Sequence, residues 1–197
     1  MSSRILILYG TSYGQTGKVA RYIADTLTNC GDLTKVIDAD AVPPDLELRD
    51  FDGVIIGASV IRGQHQRCVR RFVTEHRDAL NAMPSAFLSV SGSAASRDER
   101  GHDDARRCIE EFLRDTGWRP ALTASVAGAM AFTKYNPLMR WVLKQISKRA
   151  GGPTDTSRDH ELTDWQQVEQ FAEAFLTKLS QSEDAPLSAV SFAACGL

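Results

Sequence analysis

The 197-residue chain lacks the marks of several protein classes. Its four cysteines, Cys30, Cys68, Cys108 and Cys195, stand far apart without a CxxC pair, and its four histidines show no metal-ligand spacing. No basic leader followed by an apolar run precedes Arg4, and no apolar run approaches the roughly 18 residues of a spanning helix. These absences predict a reduced, cytoplasmic chain without a structural metal, either soluble or peripheral to a membrane.

Neither sign of charge is in large excess. The chain has 23 Lys and Arg against 25 Asp and Glu, for a formal net charge of −2, so no binding to nucleic acid is predicted. An apolar content of 43% with 24% charged residues predicts one globular domain, placed at residues 1–180. Residues 181–197 show no clear period and predict a mobile C-terminal tail.

Short β-branched or apolar runs alternate with longer stretches of helical period, which is the pattern of βαβ units. Apolar stripes predict helices around Val19–Leu27, 69–80 and 108–113, and the capping-box spacing from Thr163 to Gln166 predicts a final helix. The pattern indicates a doubly wound parallel sheet whose ligand lies beyond the carboxyl ends of the strands. Five strands are predicted, at residues 4–9, 33–38, 53–58, 85–90 and 121–128.

The segment after the first strand, residues 10–18 (GTSYGQTGK), excludes two phosphate-binding patterns. A Walker loop needs four residues between its glycines, whereas Gly10 and Gly17 enclose six, and Lys18 is followed by Val19 instead of Ser or Thr. The dinucleotide fingerprint needs glycine at position 12, which is Ser12.

What remains is a loop of hydroxyl and backbone N–H groups at the start of a helix. Such a loop suits a terminal monophosphate, because free N–H groups and the helix dipole bind a dianion. A plain strand-to-helix turn capped by Ser or Thr explains the same residues, and the loop alone leaves both interpretations open. The candidate phosphate ligands are Thr11, Ser12, Tyr13, Gly14, Gln15 and Thr16.

Residues 9–16 (YGTSYGQT) resemble the FMN phosphate loop of flavodoxins. The likeness extends over about residues 4–180 and is most specific to the long-chain flavodoxin branch represented by menaquinone-dependent protoporphyrinogen IX dehydrogenase. It implies a flavodoxin-like α/β fold, with a five-stranded parallel sheet in the order 2-1-3-4-5, and FMN as cofactor. The further stretches that carry it are 54–59 (VIIGAS), 83–87 (MPSAF), 118–120 (WRP), 127–129 (AGA), 151–156 (GGPTDT) and 163–165 (TDW).

The same resemblance implies that the isoalloxazine lies between the loops after the third and fourth strands. Small residues there let the backbone approach a ring closely, although tight packing at strand ends is an alternative explanation. No Ser-His-Asp order, carboxylate pair or activated cysteine suggests hydrolysis, and no catalytic acid or base is predicted. The implied contacts are Ser59, Val60 and Ile61 after the third strand, and Ser89, Val90, Ser91, Gly92 and Ser93 after the fourth.

Residues 130–152, called the basic insert below, contain five Lys and Arg residues and no acid. Pro137 predicts a helix start, after which Arg140, Lys144 and Lys148 follow at i, i+4 and i+8, with Trp141 among the apolar residues of another face. Such a cationic amphipathic helix can lie on an anionic leaflet or offer cations to carboxylates. It can also be an ordinary crossover helix whose apolar face packs on the sheet.

The resemblance implies that the protein oxidises protoporphyrinogen IX to protoporphyrin IX, in haem biosynthesis. The electron acceptor is expected to be a menaquinone-type or ubiquinone-type quinone, with peripheral contact at the inner face of the cell membrane. Two alternatives remain open: a flavodoxin-like electron-transfer protein that docks through its basic helix, and an NAD(P)H:quinone reductase of the same fold. The candidate substrate or membrane contacts are Arg62, Arg140, Trp141, Lys144 and Lys148.

Overall fold

The computed structural model describes residues 2–96, 98–134, 136–149 and 155–183. The five long strands in this part form one parallel sheet in the order β2-β1-β3-β5-β6. With the short β4 left out of the count, this is the predicted order 2-1-3-4-5, which is confirmed. The strands are β1 (Arg4–Gly10), β2 (Leu33–Asp38), β3 (Gly53–Ile61), β4 (Gln64–His65), β5 (Ser85–Ser91), β6 (Leu122–Ala127), β7 (Ala129–Met130) and β8 (His160–Glu161).

Helices cover both faces of the sheet, with α1 and α6 on one face and α2, α3 and α4 on the other. Short 3-10 turns lie at Leu48–Asp50, Ser93–Ala95 and Phe132–Lys134. The helices are α1 (Gln15–Asn29), α2 (Arg67–Glu75), α3 (Arg77–Ala82), α4 (Glu99–Thr116), α5 (Pro137–Arg149) and α6 (Trp165–Glu183).

The core consists of two apolar layers separated by the sheet. In β1, Ile5 and Ile7 face the layer with α1 and α6, whereas Leu6 and Leu8 face the layer with α2 and α4. All four side chains are at most 1% exposed. Because successive side chains of a strand point to opposite faces, burial on both sides explains why the strands read as continuous apolar runs.

The register of the sheet brings three loops to one edge. Gly10 of β1 pairs with Ala58 of β3, and Ser59 of β3 pairs with Val90 of β5. The carboxyl ends of these parallel strands therefore lie side by side. The chain segments that follow β1, β3 and β5 meet there, where a doubly wound sheet binds its ligand.

Two helix predictions are corrected by the structure. The helix predicted over residues 69–80 is divided into α2 and α3 at His76, whose backbone (φ −107°, ψ 14°) leaves the helical region. The N-cap of α6 is Asp164 and not Thr163, because Asp164 Oδ1 accepts hydrogen bonds from the N–H groups of Gln166 and Gln167. The Thr163 hydroxyl instead donates to the carbonyl of Ala127.

The C-terminal boundary also differs from the prediction. Helix α6 continues to Glu183, three residues beyond the predicted end of the domain at 180, and residues 184–197 lie outside the described part. Within the described residues, no helix combines the length and apolar character needed to cross a membrane. Cys30, Cys68 and Cys108 are free thiols, and Cys195 falls outside the described range.

Candidate functional site

The loop between β1 and α1 presents a helix N-terminus to the edge of the sheet. Gly14, the N-cap of α1, has φ +97°, a left-handed conformation that favours glycine. Its N–H donates to Thr11 Oγ1 over 2.9 Å, which folds the loop back on itself. Among the residues that the structure describes, no side chain caps α1, and its first turn carries no acid, so its N–H groups and positive dipole end are available to an anion.

Two buried side chains behind the loop test whether a phosphate fits. Thr16 is 1% exposed, and its Oγ1 is buried without a hydrogen-bond partner in the described part of the chain. Gln15 is also buried, and its Nε2 donates to Thr163 Oγ1 over 2.9 Å. A hydroxyl and N–H groups without partners need an acceptor, and phosphate oxygens supply several. The residues therefore fit the phosphate group of FMN.

Gln66 connects this loop to the end of β3. Its Nε2 donates to Ser12 Oγ over 3.1 Å and, in a short contact, to Ser59 Oγ. Ser12 and Ser59 were predicted to bind the cofactor, and the structure brings them together through this one amide. Gln66 itself was not predicted, because no local spacing relates it to Ser12, which lies 54 residues earlier.

The loop predicted after the third strand is a β-hairpin. β3 continues through Val60 and Ile61 and returns antiparallel as β4, with Val60 opposite His65 and Ile61 opposite Gln64. The two turn residues, Arg62 and Gly63, have φ values of 52° and 77°, as a type I′ turn requires. The hairpin places the exposed Arg62 at its tip, beyond the edge of the sheet.

A buried histidine fastens this hairpin to β5. His65 is 4% exposed, and its Nε2 lies 2.9 Å from Ser89 Oγ. Its ring packs against Phe87 and Phe112, with centroids 5.1 and 4.9 Å away. Burial, helped by the positive charge of Arg70, lowers the pKa of His65 to about 4, so the imidazole is neutral near pH 7.

The end of β5 carries one set of the predicted cofactor contacts. Ser89 and Val90 are 0% and 2% exposed, so their side chains serve the core and the hairpin anchor instead of facing a ring. Ser91 is also buried, and its Oγ accepts the N–H of Ala94. The exposed residues at this strand end are Gly92 and Ser93, and these two remain candidates for a close approach to the flavin.

The first half of the basic insert is fixed by bonds to the backbone. Arg140 Nε and Nη2 donate to the carbonyl oxygens of Phe132 and Thr133 over 2.8 and 3.4 Å. Asp159 Oδ1 accepts both the N–H and the hydroxyl of Thr133, and these bonds lower the pKa of Asp159. The Arg140 guanidinium, predicted as a substrate contact, is therefore half-buried and engaged with the 3-10 turn.

The basic insert contacts the phosphate loop through Lys134, and strand β8, after the insert, contacts helix α1 through Glu161. Lys134 Nζ donates to the carbonyl oxygen of Tyr13 over 2.9 Å. On the returning side, Lys18 forms an ion pair of 3.1 Å with Glu161. Lys134 was not among the predicted site residues. The sequence shows Lys134 as a cation in a segment without acids. It does not show the contact with Tyr13, because the two residues are 121 positions apart.

The outer surface of α5 exposes apolar and basic side chains together. Leu138 is 72% exposed and Trp141 is 61% exposed, and Lys144 is also exposed. For Leu138 and Trp141 this arrangement contradicts the crossover alternative, which needs the apolar residues to pack on the sheet. The side chain of Lys148 lies outside the described part of the structure.

Comparisons with known proteins agree with this geometry. A flavodoxin domain family matches residues 6–157. Protoporphyrinogen IX dehydrogenase [quinone] of Escherichia coli (strain K12) is 36% identical over 169 residues, which cover 86% of this chain and 92% of that protein. The chain belongs to the protoporphyrinogen IX dehydrogenase group of flavodoxin-domain proteins. A relative of the same name from Leishmania major is 33% identical over 179 residues, covering 88% of this chain and 75% of the relative.

Solved structures are similar to this chain at lower sequence identity, and they support the fold alone. Oxidised flavodoxin 1 from Bacillus cereus matches with a TM-score of 0.54 and 18% identity, covering 89% of this chain and 98% of that one. The flavodoxin-like fold predicted from the sequence is confirmed, as is the resemblance to the dehydrogenase branch. FMN is the cofactor that a flavodoxin domain implies.

Proposed function

We propose that this protein is an FMN-dependent dehydrogenase that oxidises protoporphyrinogen IX to protoporphyrin IX and reduces a quinone. The observation that carries the proposal is the contact of Lys134 with Tyr13, which places the basic insert beside the phosphate loop. At this position, the exposed apolar and basic side chains of the insert are suited to bind an apolar tetrapyrrole that carries carboxylates. The printed activity of the Escherichia coli and Leishmania major relatives supports the same reaction.

The protein's own contribution is to bind and orient. Residues 11–16 would hold the phosphate through N–H and hydroxyl groups, and the Arg62 hairpin and Gly92–Ser93 would flank the rest of the cofactor. FMN, when bound, supplies a two-electron redox centre. Conversion of the porphyrinogen removes six hydrogens, so three rounds are needed, and each round reduces one quinone to a quinol.

Two cations of this region are suited to the substrate's propionates. Arg62 is exposed at the tip of the hairpin, and Lys144 is exposed on α5. Neither is bonded to a backbone group of the described residues, so either can pair with a carboxylate without first breaking such a bond. Arg140 differs, because its guanidinium already holds the carbonyls of Phe132 and Thr133, so we assign it the role of positioning the insert.

The exposed side chains of α5 support peripheral contact with an anionic membrane, at the inner face of the cell membrane. Trp141 and Leu138 suit the headgroup depth of a leaflet, and Lys144 suits its phosphates. A menaquinone-type or ubiquinone-type acceptor is held in that lipid. Contact through α5 therefore brings the acceptor toward the same edge of the sheet as the cofactor.

An anaerobic assay tests this function. The FMN-loaded protein is mixed with protoporphyrinogen IX and either a short-chain quinone or a menaquinone held in anionic vesicles, and protoporphyrin is followed by its fluorescence. We expect turnover with both acceptors. Thr16→Val removes the buried hydroxyl at nearly constant volume and should weaken FMN binding about tenfold. Thr28→Val, at an exposed position of the same helix, is the matched control and should bind FMN as the wild type does.

The alternatives predict different results when NADPH replaces protoporphyrinogen IX as the electron donor in a parallel assay. Turnover with NADPH and quinone, without porphyrinogen oxidation, would identify an NAD(P)H:quinone reductase. Binding of FMN with neither activity would leave a flavodoxin-like electron carrier. A wild-type protein that takes up no FMN would contradict all three.

A further inference from the structure

The peptide group between Tyr13 and Gly14 is held at both ends. Its carbonyl oxygen accepts a hydrogen bond from Lys134 Nζ over 2.9 Å, and its N–H donates to Thr11 Oγ1 over 2.9 Å. One of these partners belongs to the phosphate loop, and the other belongs to the basic insert. We propose that Lys134 is a positioning residue for the cofactor phosphate and makes the site select FMN over riboflavin, which has no phosphate.

The position of this peptide explains how a residue outside the loop can act on the phosphate site. Gly14 is the N-cap of α1, and its left-handed φ of +97° turns the chain directly into the helix. The N–H groups of the first helical turn, which begins at Gln15, therefore point in a direction that the Tyr13–Gly14 peptide sets. Fixing the Tyr13 carbonyl with Lys134 fixes that direction before a cofactor arrives.

The positive charge of Lys134 also favours binding of the cofactor phosphate. The first turn of α1 has no acid to oppose it. The carboxylates nearby belong to the returning chain: Glu161 pairs with Lys18, and Asp159, bonded to Thr133, has its pKa lowered further by the charge of Lys134. An ammonium group beside the loop favours a phosphate dianion and does not affect an uncharged flavin, and salt screens the attraction.

The inference rests on the proposed FMN site but not on the proposed dehydrogenase reaction. A lysine that only tied the insert to the core would change the affinities for FMN and riboflavin by the same factor. A lysine that positions and favours the phosphate changes the affinity for FMN alone. The ratio of the two dissociation constants therefore separates the two roles without any turnover.

The experiment titrates cofactor-free protein with FMN and with riboflavin, following the quenching of flavin fluorescence at low and high salt. Lys134→Met should weaken FMN binding about five- to tenfold and change riboflavin binding less than about twofold. High salt should reduce the wild-type preference for FMN toward that of Lys134→Met. Lys134→Arg, which keeps a cationic donor, should restore more than half of the loss. Lys178→Met removes the same charge from α6, distant from the loop in the fold, and should bind both flavins as the wild type does.

Circular dichroism and thermal unfolding of each variant report whether the fold is retained, and Lys134→Gln provides the same comparison if the methionine variant is unstable. Equal weakening of FMN and riboflavin, or wild-type affinity for FMN in both neutral variants, would overturn the inference. An equal loss in Lys178→Met would also overturn it, because net charge alone would then explain the effect. A protein that prefers FMN through Lys134 but oxidises no porphyrinogen would support this inference and overturn the proposed function.

Discussion

The hairpin at residues 59–66 and the basic insert both bring cations to the same edge of the sheet, but they are held there differently. The hairpin is anchored from inside by the buried pair of His65 and Ser89, and neither side chain is charged at neutral pH. The insert is anchored at the surface by charged groups, among them Lys134 and Asp159. Two neighbouring parts of one site therefore depend on different physical forces.

The difference predicts how each region responds to its surroundings. A buried neutral histidine is costly to protonate, so the hairpin should be sensitive to acid and insensitive to salt. Exposed charged contacts are weakened by salt and change little with pH above the carboxylate range. The following predictions test this contrast, beginning with the largest expected effect.

Acid should destabilise the protein through His65. The pKa of His65 is about 4 in the folded protein and 6.5 in the unfolded chain, so the unfolded chain binds more protons between these values. The stability that the protein has with a neutral His65 is fully present above pH 6.5 and is lost as the pH falls toward 4. Between pH 7 and pH 4, the wild type should lose about 3 kcal/mol more unfolding free energy than His65→Gln.

Urea denaturation at a series of pH values measures this difference. His102→Gln, at an exposed position on α4, is the control, and it should follow the wild-type curve. Parallel pH profiles for the wild type and His65→Gln would show that the anchor does not titrate as described.

The next largest effect is expected at the turn of the hairpin, where an added side chain should destabilise the fold without affecting the basic insert. Gly63 has φ +77°, and Gly63→Ala places a Cβ in the left-handed region at a cost of about 1–2 kcal/mol. Gly92→Ala is the matched control, because Gly92 has φ −69° and, apart from Gly92 and its two chain neighbours, no described residue has an atom within 4 Å of the added Cβ. Chemical denaturation compares the two variants, and equal destabilisation by both would contradict the left-handed turn.

The smallest effect is expected at the exposed ion pair between α1 and β8. Lys18 and Glu161 form an ion pair of 3.1 Å, with side chains 60% and 38% exposed. A double-mutant cycle with Lys18→Met and Glu161→Gln should give a coupling of about 0.5 kcal/mol at low salt. The coupling should disappear near about 1 M salt. If salt left the coupling unchanged, the ion pair would behave like the buried pair of His65 and Ser89, and the predicted contrast would be wrong.

The sheet was predictable because its signal is local and repeated. Burial on both faces makes each strand an apolar run, so all five long strands were located, with ends within three residues of the observed ones. The loop at the start of α1 was predictable for a similar reason, since Thr11, Gly14 and Thr16 lie within a few residues of one another and of the first helical residue; its binding of a phosphate stays a prediction.

The contacts between segments were not predictable from spacing. Gln66 meets Ser12 across 54 residues, and Lys134 meets Tyr13 across 121, so no period or motif relates the partners. In the sequence, His65 was one of four histidines without a metal-ligand pattern. Only the folded hairpin, which brings His65 to Ser89 of β5, gives it a buried partner. The helix that carries Arg140 was predicted, but the carbonyls that engage Arg140 belong to a short turn that the sequence did not reveal.

The pairing of β7 with β8 has a consequence for how this protein can diversify. Ala129 lies opposite Glu161 and Met130 opposite His160 in a separate two-stranded sheet, so the two ends of the intervening segment lie side by side. A detour whose two ends already meet can change in length at a small cost in loop-closure entropy, since that cost rises only slowly with the number of residues. Evolution, or an engineer, can therefore exchange what lies between Lys134 and His160 and adapt the protein to another substrate, while the sheet and the contact of Lys134 with Tyr13 stay the same.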